Sequence, residues 1–106
     1  MNDTLAKLEE TIRMRRAANA PDSYVASLGR NGRAKMAEKL GEEAVEAVIA
    51  AVQDDKPAMV GEAADLMFHL LVLLADMDLS MADVLAELER REGLSGITEK
   101  SSRGTS

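Results

Sequence analysis

KLGEEAVEAVIAAV, residues 39–52, and GEAADLMFHLLVLLA, residues 61–75, are the two stretches that decide how this chain folds. Glu42, Glu43 and Glu46 in the first, and Glu62 and Asp65 in the second, have the spacing that puts side chains on one face of a helix. The second stretch is otherwise almost wholly apolar. Carboxylates in such a place need a compensating partner, and a hard divalent cation is the most economical one.

Working outward, the first stretch belongs to a helix predicted over residues 33–53. At about 100° per residue, Leu40, Ala44, Ala47, Val48 and Ala51 share one arc, with Val45 and Val52 at its border. Lys35, Lys39, Glu42, Glu43 and Glu46 share a separate arc roughly 100° wide. The next helix is predicted over residues 57–76, with Asp55 as its cap and Pro57 in its first turn. Glu62, Asp65, His69 and Asp76 occupy a strip about 60° wide on its wheel. The rest of its outward surface is Met, Val, Leu and Phe. A helix apolar nearly all round is surrounded by other protein, and a chain this short can hardly cover it alone. This helix is therefore expected to form part of an oligomer interface.

Toward the N-terminus, Leu5, Leu8 and Ile12 share a face of a helix predicted over residues 4–19, with Asp3 or Thr4 as its cap. After Pro21, residues 22–32 read as irregular chain or a short helical turn, with Gly29 and Gly32 framing a tight loop. Ser80 with Asp83 is a capping-box-like start for a last helix that runs to Glu92, before Gly93. From residue 94 the chain is polar and rich in Gly and Ser, and its end is expected to be mobile. The expectation is a single all-α domain, an antiparallel helical bundle of about four helices completed by oligomerisation.

Composition narrows the chemistry. The chain has 106 residues, 46% of them apolar, yet Tyr24 and Phe68 are its only aromatics. Ala, Leu, Val and Met favour helices over sheets, and the seven Met read as core filling. The absence of cysteine excludes a disulfide framework and a thiolate metal site, and a single histidine argues against zinc. A net charge of −6 without a basic block argues against nucleic acid as a partner. A polyphosphate ligand would be opposed by the protein's own field unless metal ions reversed its sign locally. The N-terminus lacks the apolar core of a signal peptide. The apolar run over residues 66–75 is too short to span a bilayer and carries His69. A cytoplasmic location with no membrane partner is expected.

The functional reading of the acids is a Mg²⁺ site, in which Glu43, Glu46, Glu62 and Asp65 converge from adjacent antiparallel helices. The competing reading is a solvated face paired with Lys35 and Lys39. That account leaves unexplained two carboxylates on an otherwise apolar helix. His69, one turn after Asp65, reads either as a base or metal-site partner, or as a core histidine hydrogen-bonded to the Asp65 carboxylate. The core reading is preferred, since a metal-bound water needs no dedicated histidine. Lys35 and Lys39 either bind phosphate oxygens or only neutralise the glutamates.

EExxE followed by ExxD on the next helix, here Glu42-Glu43-Ala44-Val45-Glu46 and Glu62-Ala63-Ala64-Asp65, resembles the signature of the all-α nucleoside triphosphate pyrophosphohydrolases. Four segments are similar to the phosphoribosyl-ATP pyrophosphatase family: SYVASL (residues 23–28), KMAEKLGEEAVEAVIAA (35–51), EAADLMFHLLVLL (62–74) and RREGLSGITEKSSR (90–103). The acidic motif alone gives only the superfamily; SYxASL and SGxxEKxxR point to the narrower family. Val25 is a departure, standing where that family more often has threonine. The resemblance implies Mg²⁺-dependent hydrolysis of 1-(5-phosphoribosyl)-ATP to 1-(5-phosphoribosyl)-AMP and pyrophosphate, the second step of histidine biosynthesis. It also implies an obligate homo-oligomer, a homodimer in the simplest case, and a length matching the stand-alone form of the enzyme. In the mechanism it suggests, Glu43, Glu46, Glu62 and Asp65 hold one or more Mg²⁺ ions, and a water activated by metal or by Glu42 attacks phosphorus in line. Lys35 and Lys39 stabilise the phosphates, Lys39 within the catalytic group, and the Tyr24 segment binds substrate. Lys100 and Arg103 either close over the substrate or belong to a solvated tail. Two other functions compete: a housekeeping (d)NTP pyrophosphatase of the same superfamily, and a non-enzymatic helical interaction module.

Overall fold

Asp55 and Pro57 fix the start of the longest helix. The Asp55 carboxylate accepts the Ala58 amide at 3.1 Å, and Pro57 takes a first-turn position whose N–H needs no partner. The computed structural model describes residues 3–93, which form five helices and, among them, no strand. These are α1 (Thr4–Ala18), α2 (Tyr24–Asn31), α3 (Arg33–Val52), α4 (Lys56–Asp76) and α5 (Met81–Glu92). A turn at residues 53–55, with Asp54 left-handed at φ 54°, folds α3 and α4 against each other as an antiparallel hairpin. That hairpin is the most extensive packing in the chain and the scaffold of everything else.

The seam of the hairpin differs from the arc expected for α3. Val48 and Ala51 are exposed, and the buried stripe is Met36, Glu43, Ala47 and Ala50. The physical reason is size: small alanines let the α4 backbone approach closely, which draws Glu43 into the seam. The displaced valines form a second apolar face of Val45, Val48, Ile49 and Val52, the last 82% exposed.

Residues 22–32 are better ordered than the expected loop. The Ser23 hydroxyl accepts the Ala26 amide at 3.2 Å and so caps a true helix, α2, whose Val25, Ala26 and Leu28 are buried. The bundle therefore has five helices rather than about four. Gly29 lies inside α2, and the corner into α3 is made by Gly32 alone, at φ 94° and ψ 170°, a conformation almost reserved for glycine. Ser80 and Asp83 form the expected capping box, and Glu9 accepts the Met81 amide at 2.7 Å, tying the start of α5 to α1.

Ile12, Val25, Leu28, Met36, Leu71 and Val72 form one core where α1, α2, the start of α3 and the end of α4 meet. Asp76 guards its edge. At a helix C-terminus a carboxylate is electrostatically misplaced, but it bonds Arg33 Nε at 2.7 Å and Arg16 Nη2 at 3.1 Å, with Arg33 Nη2 also donating to the Asp76 carbonyl at 3.0 Å. Arg33 and, less strongly, Arg16 hold the Asp76 carboxyl below its ordinary value. α4 is 21 residues long and contains an 18-residue window with a mean hydropathy of 1.7, enough by length and composition alone to cross a membrane, so the ten-residue run at 66–75 understated it. Its Glu62 and Asp65 face the paired helix α3. The expected mobile tail, with Lys100 and Arg103, lies outside the described residues.

Asp76→Asn keeps the volume and removes the charge, and is expected to lower stability by about 1–3 kcal/mol near neutral pH. A depressed carboxyl stabilises the fold above its unfolded pKa, and that contribution is lost as pH falls through the folded value. Denaturant titrations of wild type and variant should therefore converge as pH drops below 3.8.

Candidate functional site

Helical spacing carries Glu43 into the seam from α3 and presents Glu62 and Asp65, one turn apart, from α4. One carboxylate oxygen of each lies within 4.8 Å of the others. Glu43 is only 9% exposed. Its Oε2 and Glu62 Oε1 are both buried with no hydrogen-bond partner. Buried polar atoms of folded proteins are almost always satisfied, and two orphaned acceptors aimed at the same seam ask for a positive charge. At an effective dielectric near 20, two like charges at such separations repel by about 3 kcal/mol. In the metal-free chain a proton relieves part of this. Burial pushes the Glu62 carboxyl up to about 7, and close contacts with Glu43 and Glu46 push in the same direction. An all-carboxylate donor set without nitrogen or sulfur suits a hard divalent cation such as Mg²⁺. The residues present fit such an ion.

Glu46, exposed and one helical turn beyond Glu42, borders Glu62 but, unlike the sequence expectation, is not among the three acids whose oxygens all lie within 4.8 Å of one another. Glu42 is placed differently. It is half exposed, and its Oε1 lies 3.3 Å from Lys39 Nζ, outside the group of three. Glu42, then Tyr24 and Glu43, keep the Lys39 ammonium firmly charged, its pKa raised above the ordinary value. Lys35 turns away to Glu38 at 2.7 Å, so of the two lysines only Lys39 stands beside the acids. The solvated-face account thus holds for Glu42 and fails for Glu43.

His69 is buried, as the core reading expected, but its partner is not the Asp65 carboxylate. Its Nδ1 lies 3.0 Å from the Asp65 backbone carbonyl, and its Nε2 lies 2.9 Å from the Tyr24 hydroxyl. This leaves the Asp65 carboxylate free for the seam. The Tyr24–His69 bond links positions 45 residues apart. Spacing within one helix carries no signal for it, although the i, i+4 reach from His69 back to residue 65 was open to such reasoning.

A family model described as phosphoribosyl-ATP pyrophosphohydrolase matches residues 5–92. A phosphoribosyl-ATP pyrophosphatase of Rhizorhabdus wittichii is 59% identical over 103 residues, covering 97% of both chains. One of Sphingopyxis alaskensis is 59% identical over 104 residues, covering 97% of this chain and 95% of its own. One of Erythrobacter litoralis is 58% identical over 102 residues, covering 96% and 98%. With the acids of α3 and α4 meeting in one seam, and likeness running along nearly the whole chain, this protein belongs to the phosphoribosyl-ATP pyrophosphohydrolase family.

Proposed function

We propose that this chain hydrolyses 1-(5-phosphoribosyl)-ATP to 1-(5-phosphoribosyl)-AMP and pyrophosphate in the second step of histidine biosynthesis, in a Mg²⁺-dependent reaction at the α3–α4 seam. As a member of its family the chain is a hydrolase of a phosphoric anhydride. The observation that carries the site is the pair of orphaned, buried oxygens on Glu43 and Glu62 beside Asp65. Glu43, Glu46, Glu62 and Asp65 hold the cation. When bound, Mg²⁺ supplies neutralisation of the triphosphate and of the departing pyrophosphate. Lys39 places a fixed positive charge at the rim of the seam, where phosphate oxygens enter. Glu42, exposed and oriented by Lys39, accepts the proton of the attacking water. Lys35, paired with Glu38, has no place in this reading, and Lys100 and Arg103, either closing over the substrate or solvated, lie outside the described residues.

The active species is a homo-oligomer, in the simplest case a dimer, and cytoplasmic. What supports self-association is the face of Val45, Val48, Ile49 and Val52 on α3, with Val60 and Met67 exposed on α4. A continuous apolar face of that kind marks a protein interface. The Cα radius of gyration of 16.1 Å also exceeds the roughly 13 Å of a compact domain of this size.

Three outcomes test these readings. Pyrophosphate release should be faster from phosphoribosyl-ATP than from any member of a dNTP panel, and should stop on chelation. Asp65→Asn and Glu46→Gln should each lower kcat by at least about a hundredfold with the fold intact; faster turnover of a dNTP would move the chain to the housekeeping function. Second, a raised carboxyl stabilises the metal-free fold below its unfolded pKa, and that contribution is lost as pH rises through the folded value. Metal-free stability should thus decline between pH 4.5 and about 7, and Glu62→Gln should flatten the decline. Cation binding should release the Glu62 proton, so its affinity should climb through the upper part of that window, as calorimetry in buffers of different ionisation enthalpy will measure. Third, sedimentation on dilution should show no stable wild-type monomer, whereas Val48→Asp with Val52→Asp should yield one.

A further inference from the structure

The Tyr24–His69 pair does more than pack. The Asp65 carbonyl can only accept, so His69 Nδ1, 3.0 Å away, must carry a hydrogen. In the neutral ring that leaves Nε2 with a lone pair and no proton. The Tyr24 hydroxyl, 2.9 Å from Nε2, is then the donor of that bond. Its single proton is committed, and its oxygen is left with lone pairs only. Aromatic packing holds this state: Tyr24 stacks on Phe68 at 6.0 Å between centroids, and His69 sets its edge against Tyr24 at 5.9 Å and against Phe68 at 5.2 Å. Although held this way, Tyr24 is 49% exposed. It is tied to the carboxylate seam through His69, whose other ring nitrogen bonds the backbone carbonyl of Asp65.

We propose that His69 is a positioning residue that makes the Tyr24 hydroxyl an obligate acceptor, and that this acceptor receives a ribose hydroxyl of the nucleotide substrate. The inference rests on the proposed function. A phosphate oxygen is itself an acceptor near neutral pH, so a lone-pair-only oxygen turns phosphate away toward Lys39 and the seam and accepts only a donor, of which the substrate offers the ribose hydroxyls and the adenine amino group; the hydroxyl is the one assigned. One residue thereby sorts the two chemical halves of a nucleotide. The same histidine fixes the carbonyl of the turn that carries Asp65, so sugar recognition and the metal-facing carboxylate share one anchor.

The test compares phosphoribosyl-ATP with its 2′-deoxy and 3′-deoxy analogues, varied on each ribose in turn, for wild type, Tyr24→Phe and His69→Gln. Wild type should lose about tenfold in kcat/KM for one of these analogues, as befits one hydrogen bond. Tyr24→Phe, which keeps the stack on Phe68, should raise KM for the parent about tenfold, leave kcat within about twofold, and treat parent and analogue alike. His69→Gln can present its amide oxygen to the Tyr24 hydroxyl, and should retain part of the wild-type discrimination. A merely structural tyrosine would change stability and kcat but leave the ratio of parent to analogue untouched. Unchanged discrimination in Tyr24→Phe, or none in wild type, overturns this inference alone. A wild-type enzyme that releases no pyrophosphate from phosphoribosyl-ATP overturns the proposed function, and this inference with it.

Discussion

Like-charge repulsion in the α3–α4 seam is the constraint on which the rest of the structure turns. The hairpin closes only because Ala47 and Ala50 let two long helices approach closely, and the same stripe buries Glu43 against Glu62 and Asp65. Packing and electrostatics therefore oppose each other at one place. Without a cation the seam depends on a proton at Glu62, whose carboxyl is pushed up to about 7 chiefly by burial. A divalent ion held there would replace that proton with a stronger and more directional partner. Folding of the hairpin and loading of the site are thus two descriptions of the same balance.

Some of this was legible in the residues and some was not. The acids of α3 and α4 were readable because helical periodicity converts spacing into direction, and because a carboxylate on an apolar helix demands a positive or hydrogen-bonding partner. The start of α4 at Asp55 and Pro57, and that of α5 at Ser80 and Asp83, followed from local hydrogen-bonding chemistry that needs no tertiary context. The seam face of α3 was not readable in the same way. Valines outrank alanines in hydrophobicity, so the wheel favours the arc from Ala47 through Val48 and Ala51, whereas close helix packing rewards small size, keeping Ala47 but taking Ala50 in place of Val48 and Ala51. The helix α2 was hidden for a different reason. Its Ser23 cap and three buried residues are visible only once the helix is assumed, and eight residues are too few for periodicity to speak alone. The partner of His69 depended on a contact between distant segments, which no local rule supplies.

α3 consequently has three faces rather than two. The seam face packs on α4, the acid face carries Glu42, Glu46 and Lys39, and the third face exposes Val45, Val48, Ile49 and Val52. At about 100° per residue, Ile49 falls some 20° from Glu42, so the exposed apolar face and the acid face share a border. Whatever covers the valines will also exclude water from one side of the carboxylates. Lower local dielectric strengthens every interaction between those acids, Lys39 and a bound cation. An uncovered α3 is thus a weaker electrostatic device than a covered one, so any partner laid on the valines would also tune the chemistry of the acids.

A carboxylate seam that holds a cation is indifferent to which nucleotide arrives, because Glu43, Glu62 and Asp65 would meet a phosphate only through the charge of that cation. Selectivity needs a group that distinguishes donors from acceptors at a fixed position. Among the described residues beside the seam, Lys39 can only donate and Glu42 and Glu46 accept through a mobile, charged end. Tyr24 is different in kind: neutral, held by two ring contacts and one hydrogen bond, and half open to solvent. A rigid neutral acceptor loses little entropy on binding and suffers a full desolvation penalty when its donor is missing, which is the combination that separates closely similar ligands. On this reading the acids serve the reaction, and the short helix that opens at Ser23 serves the choice of substrate.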